Sequence, residues 1–193
     1  MKDLSISLLT ICGLDEIEQH GSRGVTHVLS ILDPDWPEPE GFRAYDRHHR
    51  TTLHFHDIIQ PAPGRILPQP AHVEAVLEFG DKLAGEASAD EGHLLVHCHM
   101  GVSRSTAAMA TLLAQLHADA DEDAIFSHLR DIRPQIWPNS LMIGYADDLL
   151  GRGGRMTAAL RRLYAQQLER RPEYARYMSE IGRAREVDMA GAA

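Results

Sequence analysis

The sequence predicts an α/β fold: a central, mostly parallel sheet of about four or five strands flanked by helices, with a C-terminal helical extension. Three observations lead there. Short apolar runs of strand length alternate with longer stretches whose apolar residues recur every three or four positions. Glycine and proline punctuate the joins. Beyond residue 151 the strand-like runs stop and the pattern turns helical throughout. The 193 residues therefore divide into a domain over 1–151 and an Arg-rich helical extension over 152–193.

The elements follow in order. Leu4 to Cys12 is a first strand, rich in Ile and Leu and ended by Gly13. Asp15 to His20 has room for one or two helical turns before Gly21. Val25 to Leu32 (VTHVLSIL) is a second strand, and Asp33 to Arg50 is a loop rich in proline and acids. Thr51 to His56 alternates Leu53 and Phe55 with polar neighbours, as a strand does. Pro70 suits the first position of a helix, in which Val73, Val76, Leu77, Gly80 and Leu83 share a side. Gly92 introduces HLLVHC, a strand ending at Cys98. Ser105 to His117 is an Ala/Leu-rich buried helix, and the acids at 121–123 open another that reaches about Arg130. Pro134 and Pro138 make a loop of 132–139. Leu141 to Leu150 is a helix with Leu141, Tyr145 and Leu149 on one face, and three glycines separate it from the extension.

Charge narrows the function. The net charge of −9 argues against nucleic acid as a partner. The charge is uneven: residues 1–151 hold 10 basic and 23 acidic side chains, whereas 152–187 hold nine arginines and four glutamates. Such a segment reads as a solvated helix docked on an acidic body, or as a site for an acidic partner. No stretch approaches the ~20 apolar residues of a membrane span. The opening segment lacks the basic region and cleavage site of a signal peptide, which places the protein in the cytoplasm. Two cysteines, Cys12 and Cys98, are too few for a disulfide scaffold.

The chemistry gathers in His97-Cys98-His99-Met100-Gly101-Val102-Ser103-Arg104-Ser105, which runs from a buried strand through a tight turn into a helix. Backbone N–H groups of residues 99–104 can converge above Cys98, and the helix N-terminus adds positive potential. Gly101 permits a conformation that a side chain would obstruct. Arg104 can curl back and grip two phosphate oxygens. The same field favours a thiolate at Cys98. One loop thus makes a nucleophile and binds the group that it attacks. Ser105 can hydrogen-bond the sulfur as it departs, and His97 is suited to orienting the loop. Cys12 offers no rival, because Glu18 stands six positions after it.

The run C-x5-R-S resembles the signature of cysteine-dependent protein tyrosine phosphatases, and G-V-S-R-S is similar to their dual-specificity branch. The resemblance covers roughly residues 4–150 and implies a phosphatase, with Cys98, Arg104, Asp57 and Ser105 catalytic. His99, Met100, Gly101, Val102, Ser103 and Arg104 would bind the phosphate, with His97 and Asn139 in support. No cofactor and no metal is implied. A thiophosphoryl mechanism also needs a carboxylic acid to protonate the leaving oxygen. Trp36-Pro37-Glu38 superficially resembles the acid loop of tyrosine-specific members, but it follows the second strand. Asp57 follows the third strand and precedes the helix before Cys98, as in the dual-specificity pattern, and is chosen over Glu38 and Asp46. Asn139 either holds the signature loop or simply caps a helix.

The expected substrate is a phosphoprotein or small phosphoester. The loop carries no lysine of the kind that relatives acting on inositol phosphates often place there. Phosphotyrosine comes first, with Trp36, Phe42, Tyr45 or Trp137 as ring contacts. Two rivals stay open: a catalytically silent phospho-residue-binding module and a rhodanese-like sulfurtransferase.

Overall fold

The strands sort themselves by hydrophobicity. The computed structural model describes residues 6–85 and 92–191. In it β4 (Gly92–His97) and β2 (His27–Leu32), apolar on both faces, take the two central places of a four-stranded sheet ordered β1-β4-β2-β3. All three pairings are parallel. β1 (Ile6–Cys12) and β3 (His49–His54) form the edges, and β3 is partly exposed along its length. The first two residues of the expected strand from Leu4 lie outside the described residues.

Alternate side chains of the central strands enter two different layers. Leu29, Ile31, Leu94 and Val96 point into the main core with the helices. Val28 and Leu95 point the other way, against Ile17 and Phe42 of the short 3-10 turns at Leu14–His20 and Glu40–Ala44. The helical side holds α1 (Pro70–Gly85), α2 (Arg104–Leu116), α3 (Glu122–Ile132) and α4 (Ser140–Leu149). α2 is buried almost throughout because its small Ala and Thr side chains let the sheet and three neighbouring helices approach it.

The buried side of α4 is not the face shared by Leu141, Tyr145 and Leu149. Met142, Ile143 and Ala146 are buried, while Leu149 is exposed. Asn139 caps the helix and turns it toward the core by that side, a rotation that apolar spacing in so uniformly apolar a segment does not encode.

The extension forms α5 (Arg155–Arg170), α6 (Glu173–Glu180) and α7 (Ala184–Ala190). Met156, Leu160, Leu163 and Tyr164 join the same main core, and Tyr164 stacks on Trp137 with ring centroids 4.2 Å apart. Its arginines meet the acidic body. Buried Arg152 and exposed Arg155 both reach Glu122 (3.1 and 3.0 Å), and Arg162 reaches Asp123 at 2.7 Å. Arg152 also satisfies carbonyls at the C-terminal end of α2, where a cation complements the helix dipole. Among the described residues no helix is long and apolar enough to cross a membrane.

Candidate active site

β4 ends at His97 and α2 begins at Arg104, so the signature loop is the short link between a central strand and a buried helix. Cys98 lies at its base, almost wholly buried. Gly101 makes the turn possible. Its φ is +66°, and a Cβ there would stand 2.5 Å from the carbonyl carbon of Cys12. The loop's carbonyls face outward: His99 O accepts from Leu14 N, Met100 O from Arg133, Val102 O from Trp137 N, and Ser103 O from Asn139 N. The N–H groups of residues 99–103 donate to no protein acceptor among the described residues. A loop that turns its carbonyls out and keeps its amides unspent is an anion cup.

Arg104 completes it. Its Nη1 donates to Asp33 Oδ1 (2.7 Å) and to Phe55 O, while its buried Nε has no partner. Holding one terminal nitrogen from behind leaves the Nε–Nη2 edge to grip two oxygens. Asp33, at the end of β2, went unnoticed in the sequence, where it is merely the first acid of an acidic loop. Ser105 Oγ lies 3.2 Å from Cys98 Sγ.

His97 sits under the loop, its Nε2 2.6 Å from Ser30 Oγ of β2. Burial above all pushes its imidazole down from 6.5 to about 4. The unfolded chain would take up this proton below pH 6.5, but the folded chain only near pH 4. Stability is therefore full above pH 6.5 and falls as the pH drops toward 4, with a contribution on the order of 3 kcal/mol. Urea midpoints at pH 7 and 4.5 check this: His97→Gln should lose distinctly less stability between them than the parent. An equal loss would refute it.

Asp57 stands beside the cup. Its Oδ1 accepts from Ser103 Oγ (2.7 Å), Asn139 Nδ2 (3.0 Å) and Arg183 Nη1 (3.0 Å). Burial pushes this carboxyl up, but the charges of Arg183 and Arg104 and the bonds from Asn139 and Ser103 outweigh it. The net effect holds Asp57 below the usual carboxylate range. Asn139 serves both expected purposes: its Oδ1 caps α4, its Nδ2 reaches Asp57, and its own N–H ties Ser103 O. Glu38 lies elsewhere, exposed and paired with Arg50.

The rim differs from expectation. Trp137 is wholly buried, and Phe42 and Tyr45 pack against each other on the far layer. Trp36 leans over the His99 ring, with centroids 4.4 Å apart, and Met100 is the most exposed large apolar side chain among the described residues. Burial and Arg104 hold His99 below the ordinary imidazole range. On the Asp57 side a cleft of about 770 Å³ opens between the signature loop and α6, lined by Val102, Tyr174, Tyr177, Met178 and Arg171 among others. Among the described residues no group of three or more His, Cys, Asp or Glu side chains is placed to hold a metal ion. Cys12 is fully buried, and that burial chiefly pushes its thiol up to about 12.

A family model described as protein-tyrosine phosphatase matches residues 46–142, a stretch that includes Asp57, Cys98, Arg104 and Asn139. The chain belongs to the protein-tyrosine phosphatase family. Its fold is similar to that of human DUSP28, at 18% identity over 79% of this chain and 98% of that one, with a TM-score of 0.55. A mouse putative dual specificity phosphatase solved with zinc tungstate is 17% identical over 82% of this chain and 89% of its own, with a TM-score of 0.54. PTPMT1, solved in complex with PI(5)P, is 15% identical over 81% of this chain and 96% of its own, with a TM-score of 0.53. No curated protein matches the chain. At these identities the structural likeness is one of fold, and the phosphatase has a dual-specificity-like architecture.

Proposed function

We propose that this phosphatase hydrolyses phosphate monoesters through a cysteinyl-phosphate, with phosphotyrosine as its first substrate. The observation that carries this is the cup itself: unspent amides around Cys98, with the Arg104 edge on one side and Asp57 on the other. The sulfur of Cys98 attacks phosphorus while the bond to the leaving oxygen breaks and Asp57 gives that oxygen a proton. Loop amides and Arg104 hold the three remaining oxygens as charge spreads over them. Water then attacks phosphorus, Asp57 takes the proton back, and the sulfur leaves with the Ser105 hydroxyl bonded to it. In the resting arrangement Asp57 is a carboxylate, so its proton enters with the substrate. A phosphate monoester, whose second ionisation lies near ~6, carries that proton as its monoanion.

Two observations support an aromatic ester. The cleft beside Asp57 offers Tyr174, Tyr177 and Met178, surfaces on which a phenyl ring packs. The variable loop positions His99, Met100, Val102 and Ser103 bring no lysine for a polyphosphorylated headgroup. The test is phosphate release from a phosphotyrosine peptide, a phosphoserine peptide and a monophosphorylated phosphoinositide at equal concentration. The peptide with phosphotyrosine should give the highest kcat/KM. Faster release from the phosphoinositide would overturn the substrate, and binding without release from any of them would favour a silent module. Thiocyanate formation from thiosulfate and cyanide would favour the sulfurtransferase.

A further inference from the structure

Arg183 belongs to the extension, yet it lies in the active site. It precedes α7, is 3% exposed, and points both ways along a buried line. Toward the site its Nη1 donates to Asp57 Oδ1 (3.0 Å) and to Ser103 Oγ (2.6 Å). Away from it, Nε and Nη2 form a two-pronged pair with Glu186, at 2.7 and 2.8 Å. Glu186 is wholly buried and accepts two further bonds, from Trp137 Nε1 (2.7 Å) and Ser140 N (2.8 Å). Trp137 and Ser140 lie on either side of Asn139, which donates to Asp57 along with Ser103 and Arg183. One carboxylate of α7 therefore braces two of these three donors, Arg183 directly and Asn139 through its chain neighbours. The fork is rigid, because the guanidinium cannot swing out without stranding Glu186.

We propose that Arg183 is a positioning residue of the phosphatase reaction: braced by Glu186, it fixes Asp57 against the signature loop and makes the C-terminal helices part of the catalytic apparatus. This rests on the role proposed for Asp57 above. Among the described residues no other side chain of the extension hydrogen-bonds Asp57, and Arg183 lies 126 positions away from it in the chain.

The consequence concerns pH. Asp57 is faced by Arg183 and, behind it, Glu186 from the α7 side, by Arg104 from α2, by His99 and Ser103 from the signature loop, and by Asn139 from the α4 cap. Arg183 is the first of the charges that oppose its burial. With Asp57 resting as a carboxylate and the proton arriving on the substrate monoanion, kcat/KM rises as pH climbs through the Asp57 titration and falls through the substrate's own second ionisation. Removing Arg183 takes away the first of the charges that hold the carboxyl down, and the acid limb should move to higher pH.

The experiment compares kcat/KM against pH for phenyl phosphate and para-nitrophenyl phosphate in the parent, Arg183→Gln, Arg183→Lys and the double variant Arg183→Gln/Glu186→Gln. The double variant leaves no stranded charge and keeps an acceptor for Trp137 or Ser140, so it remains the test should Arg183→Gln alone not fold. The acid limb for phenyl phosphate should move up by about one pH unit or more in the glutamine variants and stay near the parent's in Arg183→Lys. A uniform loss of rate with the limb unmoved would mean a merely structural arginine and would overturn the proposal. The Asp57 carboxyl can also be titrated by carbon NMR in the Cys98→Ser protein, which needs no turnover. An upward midpoint on removing Arg183 there supports the clamp even if phenyl phosphate proves not to be a substrate, so the two readings fail separately.

Discussion

Cys98→Ser is expected to lower turnover of para-nitrophenyl phosphate by about 10⁴-fold or more while leaving affinity for inorganic phosphate within a few-fold of the parent's. The asymmetry follows from the geometry. In the proposed mechanism phosphate is held by loop amides and by Arg104, none of which the substitution touches. Chemistry needs an ionised nucleophile, and a serine hydroxyl at this position has no base to take its proton. Of the two imidazoles next to it in sequence, His97 turns its Nε2 to Ser30, and the Nε2 of His99 accepts from Asp33 N. Steady-state kinetics and phosphate competition on the same preparation check both halves. Turnover within tenfold of the parent would exclude a covalent route through this sulfur.

Asp57→Asn should have the second largest effect, and a selective one. Phenyl phosphate, with a poor leaving group, should slow by about 10²–10⁴-fold, and para-nitrophenyl phosphate much less in its first step. Asparagine keeps an oxygen to accept from Ser103 and Asn139, so the loop should hold its shape while the proton is lost. Glu38→Gln is the control. That carboxylate pairs with Arg50 on the surface, and its loss should leave both rates within about twofold, as for surface substitutions generally. A selective loss in Glu38→Gln instead would move the acid to the other loop.

What the sequence revealed and what it hid divide along physical lines. The central strands, the signature loop and the Ala-rich helix behind it are local patterns, and local patterns are legible. Cys98, Gly101, Arg104 and Ser105 fall within one short run, so their placement together needed no long-range information. Asp57 and Asn139 came from the family resemblance, Asp57 by its place after the third strand, and the structure brings both to the loop. Asp33 and Arg183 were invisible because nothing near them in the chain announces a contact made across the fold. Arg183 is one of nine arginines in a segment that reads as a solvated basic face. Trp137 failed as a ring contact for a related reason: it is drawn into the core by Tyr164 and Glu186, partners that only the folded extension supplies.

The most direct measurement is the mass of the Cys98 peptide after acid quench of the Asp57→Asn protein during turnover of para-nitrophenyl phosphate. With a good leaving group the first step survives the substitution, while the second loses its base, so the intermediate should accumulate. The account predicts one added phosphoryl group, confined to the peptide bearing Cys98 and absent from Cys98→Ser. Continued nitrophenol release with an unmodified Cys98 peptide throughout, or the same label on another residue, would contradict it.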